Sequence, residues 1–143
     1  MNRSPQWQPE YSVQNQAIDR QHQYLFELVA VLETISLQRE NRLSVREALK
    51  SLFAYAELHF STEEPYYRNH PEFHAHQQLH REFVAKTREF DQAFQRGTLD
   101  LDELIIFLYD WLVDHIVETD VRYFREMAAT RQVEAVPGGQ AAG

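Results

Sequence analysis

Four stretches of the chain carry apolar residues at three- and four-residue steps, the spacing of one helix face. From Ala17 to Gln38 the stripe reads His22, Leu25, Leu28, Val29, Leu32 and Ile35. A second stretch opens at "SVRE", where Ser44 can cap a helix start and Glu47 can reach back to it, and its stripe is Leu49, Leu52, Ala56, His59 and Glu63. A third is expected to begin at Pro71, a residue suited to the first helical position, with Phe73, His76, His80, Phe83, Thr87, Phe90 and Phe94 in line. Gly97 can end that helix and Thr98 or Asp100 can cap the next, whose face carries Leu104, Leu108, Trp111, His115 and Ile116, with Tyr123 beyond.

Helices of about 20 residues are each roughly 30 Å long, and breaks this short favour antiparallel neighbours. The expected fold is all-α, an up-down-up-down four-helix bundle over residues 1–131. It has an N-terminal arm anchored by Trp7, Tyr11 and Val13. Residues 132–143, which hold three of the four glycines, are expected to form a flexible tail. At 143 residues one domain suffices, and no apolar run reaches the roughly 18 residues of a membrane span. The net charge of −8 argues against nucleic acid and anionic lipid as partners. Without cysteine there is no disulfide, thiolate zinc site or iron–sulfur cluster. The polar first ten residues do not read as a secretory signal, so the default expectation is a cytoplasmic protein.

What sets these stripes apart is their polar content: His22, His59, Glu63, His76, His80 and His115 lie at positions a core should fill with hydrocarbon. Buried imidazoles and carboxylates are costly unless they are paired or bound to metal. His59 with Glu63 and His76 with His80 are four residues apart, about 40° on a helix and one turn along, so each pair can approach one centre. Asp120 follows His115 by five residues, about 140° away on a regular helix. A local widening of the helix between them would bring Asp120 onto the shared face, and such widenings mark functional sites.

"IDRQH" (18–22), "HFSTEE" (59–64), "HQQLHREF" (76–83) and "WLVDHIVETD" (111–120), with Tyr123 after them, resemble the hemerythrins, in particular the bacterial single-domain members. The resemblance extends from Trp7 to about Met127 and includes the "W…Y-S-V" arm. It implies a non-haem di-iron centre with a bridging oxo or hydroxo group and dioxygen as ligand. His76, His80 and His115 would hold one iron, His22 and His59 the other, and Glu63 and Asp120 would bridge the two. The second iron then has an open position for oxygen. Leu25, Trp111, Leu112 and Ile116 would form an apolar wall that slows water and protons.

By ligand type alone, imidazole and carboxylate suit iron, zinc, copper or manganese; the two-metal count and the unequal histidines favour a di-iron carrier. Five imidazoles also bring less negative charge than the Glu-x-x-His sites of carboxylate-rich di-iron proteins, which helps dioxygen leave rather than be split. The expected function is therefore reversible oxygen binding for storage, delivery or sensing, not catalysis. With no attached signalling segment expected, storage or delivery is favoured, and a sensor would need a separate protein partner. The alternative is an enzyme that reduces peroxide or nitric oxide.

Among neighbouring residues, Asp19 is a candidate to orient His22 or to cap the first helix. Glu64, His70 and His74 are expected in solvent, and Tyr123 is expected to hydrogen-bond locally. The sequence departs from the family around Pro65, which should kink or stop the second helix beside Glu63. Tyr66 and Tyr67 stand where the family often has leucine and methionine. His70 stands where a tyrosine commonly precedes the proline. Either Tyr66 or Tyr67, turned inward, would place a hydroxyl near the centre.

Overall fold

The computed structural model describes residues 5–38 and 42–129; the expected tail at 132–143 lies outside them. Four long helices account for most of the chain: α1 (Gln16–Gln38), α2 (Arg42–Glu63), α3 (Phe73–Arg96) and α4 (Leu101–His115). A π-helical turn, Ile116–Asp120, continues α4, and residues 121–129 are α-helical again. No strand occurs among the described residues. The helices run up-down-up-down, α1 packing on α2 and α4 and α2 on α3. Aromatic rings fill the space between α3 and α4: Phe83 stands 5.9 Å from Phe107 and 4.4 Å from Trp111.

Local chemistry sets the helix ends. Asn15 accepts a hydrogen bond from the Ile18 amide at 3.2 Å and so caps α1. Asp19 takes no part in that cap. It instead accepts from Ser12 Oγ at 2.6 Å and the Val13 amide at 2.9 Å, fastening the arm to α1 rather than orienting His22. The arm is laid down as expected: Val13 is buried and the Tyr11 ring stacks 6.1 Å from Phe26.

Helix α2 begins at Arg42, so Ser44 lies inside it and is not its cap. The Arg42 guanidinium donates to the Phe94 carbonyl and lies 4.2 Å over the Phe94 ring, a tertiary anchor that sets the start ahead of the local capping motif. Pro65 ends α2 at Glu63, and a 3₁₀ turn follows, Glu64–Tyr67. Helix α3 starts at Phe73 and not at Pro71, because the Phe73 amide is engaged by the His70 carbonyl in a turn. Gly97 closes α3 with φ 76°, a left-handed conformation that costs a side chain strain, and Asp100 caps α4 by accepting from the Glu103 amide at 3.1 Å.

The interior falls into two apolar clusters. The larger contains Leu25, Val29, Leu32, Leu49, Leu52, Phe60, Phe83, Leu104, Leu108, Leu112 and Ile116, among others. The smaller consists of Val13, Ile18, Tyr67, Tyr123 and Phe124. The polar inner residues fall near the junction of the clusters: His22 between Ile18 and Leu25, His59 and Glu63 on either side of Phe60 ahead of Tyr67, His76 and His80 between Phe73 and Phe83, and His115 and Asp120 on either side of Ile116 ahead of Tyr123. A polar layer is thereby sealed between two dry ones.

The Asp100 cap is exposed and remote from that layer, so its energy can be measured alone. Asp100→Ala should lower unfolding stability by about 1 kcal/mol in urea titration, with the metal content of the protein unchanged.

Candidate metal centre

The polar layer brings the seven expected side chains together. His22, His59, Glu63, His76, His80, His115 and Asp120 are all buried. Their donor atoms form two sets: His76, His80 and His115 with Glu63 and Asp120, and His22 and His59 with the same two carboxylates. The carboxylate oxygens divide between the sets. Asp120 Oδ1 lies 2.9 Å from His76 Nε2 and 3.1 Å from His115 Nε2, while Oδ2 lies 3.2 Å from His22 Nε2. Likewise Glu63 Oε1 lies 3.4 Å from His80 Nε2, while Oε2 lies 3.0 Å from His59 Nε2 and 3.2 Å from His22 Nε2. Each carboxylate therefore offers one oxygen to each set, the arrangement of a bridge.

Two features of helix geometry make this possible. The histidine pairs lie on regular helix, where a four-residue step keeps one face. Asp120, five residues after His115, is carried onto that face by the π turn, which widens the helix by one residue as its spacing required.

The donor set fits metal ions better than it fits itself. His76 Nε2 and His80 Nε2 stand 3.0 and 3.1 Å from His115 Nε2, so three ring nitrogens converge on one point. Both oxygens of Asp120 are buried, and none of their approaches to imidazole is aligned as a hydrogen bond. Lone pairs that converge without pointing at each other point at a shared cation. Ligand atoms about 2.1 Å from a metal at right angles are about 3.0 Å apart, which matches these separations. Nitrogen and oxygen donors with no sulfur suit iron, zinc, copper or manganese.

Electrostatics point the same way. Burial disfavours charge on His22, but the adjacent Asp120 and Glu63 carboxylates outweigh it and raise its pKa to about 9. Burial is likewise outweighed at His80, whose pKa is raised by Glu63, then Glu64 and Asp120. At His115 burial prevails and lowers it. Burial alone would push Glu63 up, yet the charge on His59 and hydrogen bonds from His22, His59 and His80 hold it well below the carboxylate range. Asp120 is opposed by burial and by Glu63, and is nevertheless lowered by His115 and His22. Two carboxylate charges are thus kept in a dry layer, a cost of several kcal/mol each unless positive charge accompanies them. A metal pair would supply that charge.

Several neighbours differ from expectation. Glu64 is not in open solvent: its Oε2 lies 2.9 Å from His80 Nδ1, and Gln77 donates to its other oxygen at 3.2 Å. Gln21, a residue the sequence reading passed over, places Oε1 2.7 Å from His59 Nδ1. His70 is buried, stacked 4.1 Å from the Tyr123 ring and 2.6 Å from Glu126, since the turn before α3 folds it inward; His74 is exposed as expected. Tyr123 donates not to a near neighbour in sequence but to the Glu72 carbonyl ahead of α3, at 3.3 Å, and meets His76 edge-on at 4.5 Å.

Of the two tyrosines, Tyr66 points outward, 42% exposed, because consecutive residues of a turn cannot both face the bundle. Tyr67 is fully buried, donates its hydroxyl to Glu63 Oε1 at 2.9 Å and stacks 4.2 Å from His76. Burial, then the charge of Glu63, pushes its hydroxyl pKa far above the usual range, so it remains a donor. Leu25, Leu112 and Ile116 lie buried in the larger cluster. Trp111 is half-buried and stacks face to face on His115 at 4.2 Å, which places it over the three-histidine set.

The comparisons with known proteins agree with this geometry. The family described as "Hemerythrin HHE cation binding domain" matches residues 14–127. The chain is similar to a bacteriohemerythrin of Pseudomonas paraeruginosa, 29% identical over 119 residues that make up 82% of this chain and 77% of that protein. A hemerythrin-like protein of Naegleria gruberi is 31% identical over 119 residues, 82% of this chain and 88% of that one. The crystal structure of a wild-type hemerythrin superposes with a TM-score of 0.76 at 28% identity, covering 85% of this chain and 95% of that chain.

Asp120 supplies one oxygen to each set, so Asp120→Ala should disturb both positions at once. Metal analysis after loading and gel filtration should find the bound metal reduced from two ions per chain to one or fewer; two retained ions would remove Asp120 from the bridge.

Proposed function

The chain belongs to the hemerythrin family, and from that premise we propose that its buried centre holds two non-haem irons and binds dioxygen reversibly. The observation that carries this reading is the unequal division of donors, five residues around one position and four around the other. His22, His59, Glu63, His76, His80, His115 and Asp120 would hold the iron pair, which would supply the electrons for reversible dioxygen binding.

The chain's own groups have separable tasks. His76, His80 and His115, with one oxygen each from Glu63 and Asp120, surround one position closely. His22 and His59, with the remaining oxygens, would hold the other with one protein ligand fewer, which is the position we assign to an outside ligand. Leu25, Leu112 and Ile116 form apolar wall beside the layer, where low polarity keeps out water and the protons it carries. Trp111 lies over the His115 ring and shields the fuller position.

A carrier is the reading we favour over an enzyme that reduces peroxide or nitric oxide. Its support is the engagement of Tyr67: the buried hydroxyl closest in kind to a proton donor is already given to Glu63 Oε1, on the three-histidine side. Within oxygen binding we propose storage or delivery in the cytoplasm, with dioxygen as the partner; a second protein is required only if the centre senses. No described helix is long and apolar enough to cross a membrane.

The deciding experiment is the absorption spectrum of iron-loaded, anaerobically reduced protein as oxygen is added and then removed. A carrier gives a coloured band that appears with oxygen, fades when the gas is withdrawn and returns over repeated cycles. One-way oxidation with steady turnover of added peroxide or nitric oxide would replace this reading by the enzymatic one.

A further inference from the structure

The groups that touch the ligands from outside are distributed unevenly between the two positions. On the three-histidine side, His80 Nδ1 faces the Glu64 carboxylate at 2.9 Å, and Gln77 holds that carboxylate in place. On the same side the Tyr67 hydroxyl donates to Glu63 Oε1 at 2.9 Å. The two-histidine side has a neutral partner, Gln21 on His59 at 2.7 Å, and the buried Nδ1 of His22 has none, as is true of His76 Nδ1 on the other side.

These contacts act on ligand strength in opposite senses. A carboxylate that accepts the N–H of an imidazole gives the ring part of an anion's character and strengthens the other nitrogen as a donor. A hydroxyl that donates to a ligand oxygen draws charge away from it and weakens it. The Tyr67 effect is large because water is excluded from Glu63 and Tyr67, which are fully buried, while Glu64 reaches the buried His80 from a partly exposed position. Glu64 and Tyr67 also come from one piece of backbone, the Glu64–Tyr67 turn that begins where Pro65 ends α2.

Resting on the di-iron reading above, we propose that Glu64 and Tyr67 are opposed positioning residues for the metal ion held by His76, His80 and His115. Glu64, through His80, favours the ferric state of that ion; Tyr67, through Glu63, favours the ferrous state. Their balance sets how readily the centre is lost to oxidation, and it does so at the ion that carries no open position. Hydrogen bonding around ligands is an established lever on the potential of protein-bound iron.

The test is the midpoint potential of the iron-loaded protein, read by spectroelectrochemistry with oxygen absent. Glu64→Gln keeps the side chain's shape and removes its charge, and should raise the potential. Tyr67→Phe keeps the ring on His76 and removes the donor, and should lower it. Each shift is expected to correspond to about a tenfold change in the ferric-to-ferrous ratio, about 59 mV for one electron. The double variant should return toward the parent, and Tyr66→Phe should shift nothing. Shifts of the same sign, no shift, or an equal shift from Tyr66→Phe would overturn the proposal. Zinc supplies a second readout that needs no redox chemistry: Glu64→Gln should weaken one of two bound zinc ions by about 10–100-fold, and equal weakening of both would count against it. Because the potentials are read without oxygen, opposed shifts in a protein that fails to bind oxygen reversibly would sink the carrier reading and leave this one. Reversible oxygen binding with unmoved potentials would do the reverse.

Discussion

Two carboxylates, Glu63 and Asp120, are held ionised among five imidazoles at the centre of a helical bundle, and much of the rest follows from that arrangement. A buried carboxylate without a counter-charge takes up a proton or destabilises the fold. The imidazoles can hold protons and so compensate in part, as the raised pKa of His22 indicates. Yet protons do not account for two buried Asp120 oxygens that no imidazole N–H is aligned to meet. Cations shared among the donors account for charge and direction together.

Both carboxylates occupy the last position of a regular segment. Glu63 is the final residue of α2, which Pro65 stops, and Asp120 is the final residue of the π turn. Four of the histidines, in contrast, sit inside α-helix, and His115 closes α4 just ahead of the π turn. A bridge must present one oxygen to each of two positions, which demands an approach angle that a regular helix face does not supply to a short side chain. Local irregularity provides it, and the two apolar clusters on either side hold the irregular backbone in place.

How much of this could be read in advance depended on the range of the interaction. The His59–Glu63 and His76–His80 pairs are visible because helical period is a local property. The π turn was legible for the same reason: a five-residue interval between His115 and Asp120 cannot share a face without one. Ser44 shows the opposite case, since its capping motif is sound locally and is overridden by Arg42 reaching Phe94, 52 residues away in sequence. Glu64, His70 and Gln21 were misread or missed because their partners lie on other helices or beyond a turn. Polar composition suggests solvent for such residues, and only the packed bundle shows otherwise. The choice between Tyr66 and Tyr67 rested on the pitch of a four-residue turn that propensity does not determine.

Pro65 and Tyr67 are best understood as one unit. A proline at position 65 cannot donate to the Ser61 carbonyl and crowds it, so the helix gives way to a tighter turn right after Glu63. That turn points Tyr67 back beneath the carboxylate four residues before it, where hydrocarbon would leave Glu63 Oε1 with imidazole contacts alone. It also sends Glu64 toward α3, where His80 and Gln77 receive it. The change of backbone and the new polar contacts are therefore coupled: an unbroken α-helix through 67 would move Glu64 and Tyr67 together. The segment where the chain departs from the hemerythrin pattern is also the one that gives the two metal positions unlike surroundings.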